Sequence, residues 1–247
     1  SMPSFFGLSP MAIWIILLFV YAYIASVLPV WSLLQPRDYV NSHQLVVGIL
    51  LIVLGILFAR PPMVAPLINL CPKGAPPIFP FLFITVACGA VSGFHSLISS
   101  GTSSKQLKNE NDAKIIGFGG MLTEGFLGVL VLIAVAAGIG IASKNSHGEI
   151  LTGVKAWEYH YSSWSAMQGL TQKVTAFVNG SANMINVLGI PIRYAQGLVG
   201  VLIASFAGTT LDTATRIQRY IINEISDDYK IDFLKRRHPA TMLAVLS

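Results

Sequence analysis

Apolar residues fill the chain in long blocks, and polar residues interrupt them at a few places. The first block runs from Met11 to Leu34, about 24 residues, enough to cross a bilayer with some tilt. Pro29 lies near its end, and Gln35-Pro36-Arg37-Asp38 reads as a short polar turn. A second, almost wholly aliphatic block, His43 to Ala59, gives way to Arg60-Pro61-Pro62 and a proline-rich loop through Pro77, where regular helix is excluded. A third block runs from Ile78 to Ser100, a fourth from Ile115 to Ala142, and a fifth from Tyr194 to about Thr213, with helix continuing toward Glu224. Ala240 to Ser247 reads as the start of a sixth. The expected fold class is an all-α polytopic membrane protein with five full spans plus the start of a sixth.

The segment between the fourth and fifth blocks differs in kind. Residues 143–191 carry Lys144, His147, Glu149, Lys155, Glu158 and His160, and apolar positions recur at helical spacing from Met167 to Leu188. We expect an amphipathic helix there, broken near Gly180, lying as a cap over the outer membrane face. Asn179-Gly180-Ser181 matches a glycosylation sequon, which alone is weak. The organisation expected is 1–142 for spans one to four, 143–191 for the cap, and 192–247 for the fifth span, a charged basic segment and the sixth start.

Composition agrees with this division. Charged residues make up 11% of the 247, where a soluble domain has about 25%, and the mean hydropathy is +0.66. The net charge of +5 marks loops facing the cytoplasm, not a nucleic-acid partner. Ten lysines and arginines (Arg37, Lys105, Lys108, Lys114, Arg216, Arg219, Lys230, Lys235, Arg236 and Arg237) fall on one side and six on the other. That bias puts the N-terminus outside, which implies an odd number of spans ahead of residue 1 in a longer protein. Cys71 and Cys88 have no partner at metal or disulfide spacing, so neither is expected to form such a site.

The third block carries the chemistry. Residues 85–105 read TVACGAVSGFHSLISSGTSSK, an apolar helix that fills with small and polar groups. Weakened helix at membrane depth is tolerated where protein buries it or where it lines a cavity, so the stretch is expected to line a solute pathway. His95 shares a helical face with Ser99, and an ionisable histidine at such depth is a candidate proton carrier; an interhelical hydrogen bond in a packed bundle is the plainer alternative. Glu124, inside the fourth block, is either a proton carrier or a hydrogen-bonded neutral carboxyl. Thr209, Thr210, Asp212 and Thr213 offer oxygen ligands to a cation, although Asp212 and Arg216, at i and i+4, can equally pair with each other. Arg216 and Arg219 read as cytoplasmic anchors.

Several strings together closely resemble the carbon starvation protein A family: Leu28-Pro29-Val30-Trp31, Pro36-Arg37-Asp38-Tyr39, Phe79 to Thr85, Ala87 to Thr102, Gly117 to Met121, and Leu211 to Arg216. The resemblance runs from about Tyr21 to Glu224. It implies a secondary transporter of the bacterial or archaeal cytoplasmic (inner) membrane, linked to carbon starvation and taking up pyruvate with protons, or peptides. It implies a leucine-transporter-like bundle of two inverted repeats, of which this chain is an internal part lacking N-terminal spans that supply half the site. The spans would then be core helices four to eight, with the third broken at the substrate. A broken helix presents free N–H groups that attract a carboxylate. The residues expected to hold substrate are Ser92, Gly93, Phe94, His95, Ser96 and Ser99, and those expected to couple an ion are His95, Glu124, Thr209, Thr210, Asp212 and Thr213. The coupling ion expected is H+, with Na+ the other candidate; no cofactor and no metal are expected. The partners are a small-molecule substrate and the lipid bilayer.

Two rivals stand beside transport. One is a sensory or accessory membrane subunit that moves no solute. The other is an intramembrane enzyme using His95 and Glu124, for which no set of nucleophile, base and orienting group is visible.

Overall fold

A computed structural model describes residues 9–69, 74–90, 93–144, 149–161, 163–164 and 169–246. Among the described residues, three helices are long and apolar enough to cross a membrane: Val30–Ala59, Glu110–Gly140 and Ile192–Asp228. The protein is all-α, apart from a two-residue strand pair, β1 (Ser143–Lys144) with β2 (Ile150–Leu151), in antiparallel register.

The first two blocks divide differently from the expectation. Helix α1 spans Pro10–Val27 and stops at Leu28, ahead of Pro29. Helix α2 then runs unbroken over Val30–Ala59. The expected polar turn at Gln35-Pro36-Arg37-Asp38 is therefore helix, with Pro36 inside it. An interior proline removes a backbone donor and crowds the preceding turn at a cost of ~3 kcal/mol, yet the helix continues through Pro36 here.

The third block is helical as α3 (Ile78–Ala90) and again as α4 (Gly93–Ile98), followed by a π-helical turn at Ser99–Ser103 and a 3-10 turn at Ser104–Gln106. Wide π turns inside helices are uncommon and cluster at functional sites. The fourth block is α5 (Glu110–Ala136) with a 3-10 turn at Gly138–Gly140. Two more helices follow, α6 (Val154–Tyr161) and α7 (Leu170–Val187). The expected break near Gly180 does not occur: α7 runs through it. Ser181 of the sequon is fully buried, and the Asn179 carboxamide accepts from Gln196 Nε2 at 3.1 Å. Helix α8 (Ile192–Asp228) contains the fifth block, and α9 (Arg237–Leu246) contains the last. Cys71 lies outside the described residues.

The chain forms two compact units. The larger comprises residues 43–93 and 106–203. Its core joins Ile52, Leu130, Ala134, Ala182, Met184, Ile185, Ala195 and Val199. Glycines set its closest contacts. A Cβ added at Gly180 would stand 2.0 Å from the Ala134 carbonyl oxygen, and one at Gly138 would stand 2.5 Å from the Gly180 carbonyl oxygen. Absent side chains thus let α5 and α7 meet backbone to backbone. Asn183 Nδ2 seals the end of α5 by donating to Gly138 O at 3.0 Å and Ala142 O at 2.5 Å. By contrast, Gly117, Gly119, Gly120, Gly125 and Gly128 have no such neighbour within 4 Å among the described residues.

The smaller unit comprises residues 1–42, 94–105 and 204–247. In it α1 packs against α9, and Tyr23 Oη bonds His238 Nδ1 at 2.9 Å.

Candidate functional site

The smaller unit holds the ionic chemistry. On α8, Asp212, Thr213, Thr215, Arg216 and Arg219 are all buried, though their types belong in water. Asp212 has no exposure at all, and its cation comes from α2: Arg37 Nη1 donates to Asp212 Oδ2. The same Arg37 nitrogen donates to the Tyr21 hydroxyl, and Tyr21 Oη donates in turn to Asp212 Oδ2 at 3.0 Å. Three helices thus meet in a closed triangle of phenol, guanidinium and carboxylate. One turn away, Asn41 Nδ2 donates to Thr209 Oγ1 at 3.1 Å.

The pairing of Asp212 with Arg216 gives way because Arg216 has other work. The Ala25 carbonyl would ordinarily accept from the amide four residues on, but that residue is Pro29 and has no N–H. Arg216 Nη2 supplies the missing donor, bonding Ala25 O at 2.8 Å and Leu28 O at 3.1 Å. Arg219 Nη1 does the same for Ser26 O. These two arginines are 2% and 4% exposed. They close the end of α1 and are not the solvated anchors that their basic type suggested. The Arg219 guanidinium also lies 5.0 Å from the Tyr220 ring centroid, and Lys105 Nζ approaches the same ring at 5.8 Å.

Three of the ten basic residues counted for membrane orientation, Arg37, Arg216 and Arg219, are therefore site or packing residues. Without them the bias narrows to seven against six.

The remaining expected residues fall as follows. Ser92 lies outside the described residues, as do the surroundings of Gly93 and Phe94. His95, Ser96 and Ser99 are exposed. Ser99 Oγ donates to Ser96 O at 2.9 Å, and Ser100 Oγ to the same carbonyl at 3.0 Å. Ser104 Oγ donates to Ser100 O at 2.8 Å. These hydroxyls bond back to carbonyls of their own helix three or four residues earlier. Glu124 is exposed on α5 in the larger unit, whereas His95 belongs to the smaller. Thr209, Thr210 and Thr213 each donate their hydroxyl to the carbonyl four residues back. Thr210 is exposed while Asp212 and Thr213 are buried, so Thr210 stands on another face of α8. No group of three or more metal-ligating side chains occurs among the described residues.

Arg37 and Tyr21 are the members that sequence reasoning missed. An arginine seven residues beyond the start of a 30-residue helix is itself a signal, since a charge carried by a helix must find water or a partner. Pro36 masked it by suggesting a turn.

Known proteins supply the context. The family model for carbon starvation protein CstA matches residues 2–246. The chain is similar to the peptide transporter CstA of Mycobacterium tuberculosis, at 34% identity over an alignment of 272 positions covering 96% of this chain and 36% of that protein. It is similar to the pyruvate/proton symporter BtsT of Escherichia coli, at 35% identity over 266 positions covering 87% and 37%. The peptide transporter CstA of Escherichia coli is 49% identical over 119 positions, covering 46% and 17%. These relatives are named as transporters, not as enzymes. The chain spans about a third of the length of the longer matches, and no solved structure matches it. With a family match across nearly every residue and helices of membrane-crossing length, the chain belongs to the carbon starvation protein CstA family.

Proposed function

We propose that the chain is part of a secondary active transporter that imports a small carboxylate such as pyruvate, or peptides, into a bacterial or archaeal cell across its cytoplasmic membrane, in symport with protons. The observation that carries this reading is the sealed Asp212 carboxylate paired with Arg37 and Tyr21 among membrane-length helices. Ionisable groups are kept at such depth where they serve a substrate or ion pathway. The names of the relatives point the same way: one is called a pyruvate/proton symporter and the others peptide transporters.

In this reading residues 85–105 line the pathway. Ser92, Gly93, Phe94, His95, Ser96 and Ser99 face substrate, within a leucine-transporter-like arrangement of five spans and a sixth start. The segment 143–191 covers the outer mouth. His95, Glu124 and Asp212 are the candidate proton carriers, with Thr209 and Thr213 beside the last. Proton coupling is favoured over sodium because one relative is named a pyruvate/proton symporter.

The test is uptake of labelled pyruvate and of dialanine by the full-length protein in proteoliposomes under an imposed pH gradient. Accumulation of either that collapses with the gradient is expected, and His95→Ala is expected to abolish it. Folded protein that accumulates neither compound overturns the reading.

A further inference from the structure

The Asp212–Arg37 pair is unequal in a way that suggests how it works. Asp212 has no exposed surface, whereas the Arg37 side chain is 19% exposed. Of the two side chains, Arg37 is therefore the one that reaches the surface. Arg37 commits only Nη1, to Asp212 and Tyr21. Its Nε and Nη2 are buried and donate to no hydrogen-bond partner among the described residues. Asp38 Oδ1 stands 3.9 Å from Nη2, too far for a hydrogen bond. Nε and Nη2 form the side-on edge of the guanidinium, whose two parallel N–H groups match a carboxylate.

Asp212 is unequal within itself. Oδ2 accepts from both Arg37 and Tyr21, while Oδ1 is buried with no partner among the described residues. The other charged and titratable groups around the pair are few. Tyr21 comes from α1, and Asp38, next to Arg37 on α2, has its Oδ1 3.9 Å from Arg37 Nη2. Arg216, one turn along α8, is committed to the Ala25 and Leu28 carbonyls. On α9, His238 is taken by Tyr23. Arg37 is thus the cation that pairs with Asp212.

We propose that Arg37 binds the substrate's carboxylate through its Nε and Nη2 edge, and that Asp212 is the coupling carboxylate, taking up one proton on Oδ1 as that substrate arrives. This rests on the transport reading above and specifies its site. A second carboxylate on one guanidinium raises the proton affinity of the first. Protonation of Asp212 then releases Arg37 to the substrate. Charge balances at each stage: Arg37 cation with Asp212 anion before, and Arg37 cation with substrate anion and neutral Asp212 after. On the other side of the membrane, loss of the proton lets Asp212 reclaim Arg37 and expel the substrate. One proton accompanies one carboxylate. For a monocarboxylate no net charge crosses, so the membrane potential does not drive its uptake.

The experiment uses the full-length protein in proteoliposomes with labelled pyruvate, and with dialanine if that is what the wild type carries. Two modes are read: accumulation under a pH gradient, and exchange of label at equal pH on both sides. In the wild type, exchange should weaken as pH rises. In Asp212→Asn, which mimics the protonated acid, gradient-driven accumulation should fall by roughly tenfold or more, while the exchange that remains should lose its pH dependence. In the neutral double variant Arg37→Gln/Asp212→Asn, whose folding is checked by gel filtration, exchange should be lost as well. Asp212→Asn that still accumulates under a gradient overturns the coupling role. A folded double variant that exchanges at the wild-type rate overturns the Arg37 role. Asp212→Asn protein that folds but loses both modes makes the pair structural and also overturns the proposal. A wild type that moves neither compound is a different result, because it is the transport reading itself that then fails.

Discussion

Arg37 and Asp212 lie 175 positions apart in sequence and share a hydrogen-bonded ion pair through Nη1 and Oδ2. A pair this deep gains little over an apolar substitute, because taking two charges out of water is expensive, but breaking it strands one of them. Arg37→Ala alone is therefore expected to destabilise the protein by ~3–5 kcal/mol. The double variant Arg37→Met/Asp212→Leu should recover most of that loss while abolishing transport. Thermal unfolding of the single and double variants in detergent measures the coupling. Additive losses in the cycle would show that the pair contributes nothing as a pair.

Arg216 acts through a backbone that proline has left short of a donor. Arg216→Met keeps the stem and removes the guanidinium, so the Ala25 and Leu28 carbonyls lose their partner at the end of α1. The expected cost is about 1–3 kcal/mol. Hydrogen exchange should rise locally over the last turn of α1 and leave α5 and α7 unchanged. Uniform change across both units would contradict a local capping role.

Periodicity and hydropathy made the helices legible, but the first block reads on to Leu34, past Pro29, ahead of which α1 in fact ends. What misled was the weight given to Pro36. A proline costs about as much as one good packing contact offsets, so tertiary context decides whether it ends a helix, and here α2 continues. That single difference hid Arg37, because a charge placed in a turn needs no partner. The basic side chains on α8 were misread for a related reason. Arginine type does not tell whether the guanidinium meets water or an orphaned carbonyl on a helix nearly two hundred residues away. Asp212 was identified from its neighbours Thr209 and Thr213, but its partner lay on another element, beyond the reach of local spacing. The family resemblance was carried by Ala87 to Thr102 and Leu211 to Arg216, and the family match over residues 2–246 agrees with it.

Gly180 lies where α7 crosses α5. An added Cβ would stand 2.0 Å from Ala134 O, a backbone atom that cannot rotate away. Gly180→Ala is therefore expected to destabilise the larger unit by ~1–3 kcal/mol, as overpacking does. The same change at Gly200, which has no neighbour within 4 Å among the described residues, should be neutral or slightly stabilising through helix propensity. Comparing the two by thermal unfolding separates packing from backbone entropy. Equal effects would remove the close approach as the cause.

His160 gives the segment outside the spans a pH dependence whose sign follows from its burial. Ser143 Oγ and His160 Nε2 lie 2.5 Å apart, joining β1 to α6, and Tyr159 meets the imidazole edge to face at 5.3 Å between centroids. Burial pushes the His160 imidazole below its ordinary value of 6.5, so the folded segment holds it neutral. An unfolded segment binds that proton more readily. The stability that neutral His160 confers is therefore fully present above about pH 6.5 and is lost as pH falls from there toward the lower folded value. Hydrogen exchange over residues 143–161 should accelerate between about pH 7 and pH 5 once corrected for intrinsic rates. His160→Gln, which keeps a hydrogen-bonding group without a titration in that range, should flatten the dependence. Protection that rises on acidification in the wild type would mean the imidazole is charged in the fold, contrary to its burial.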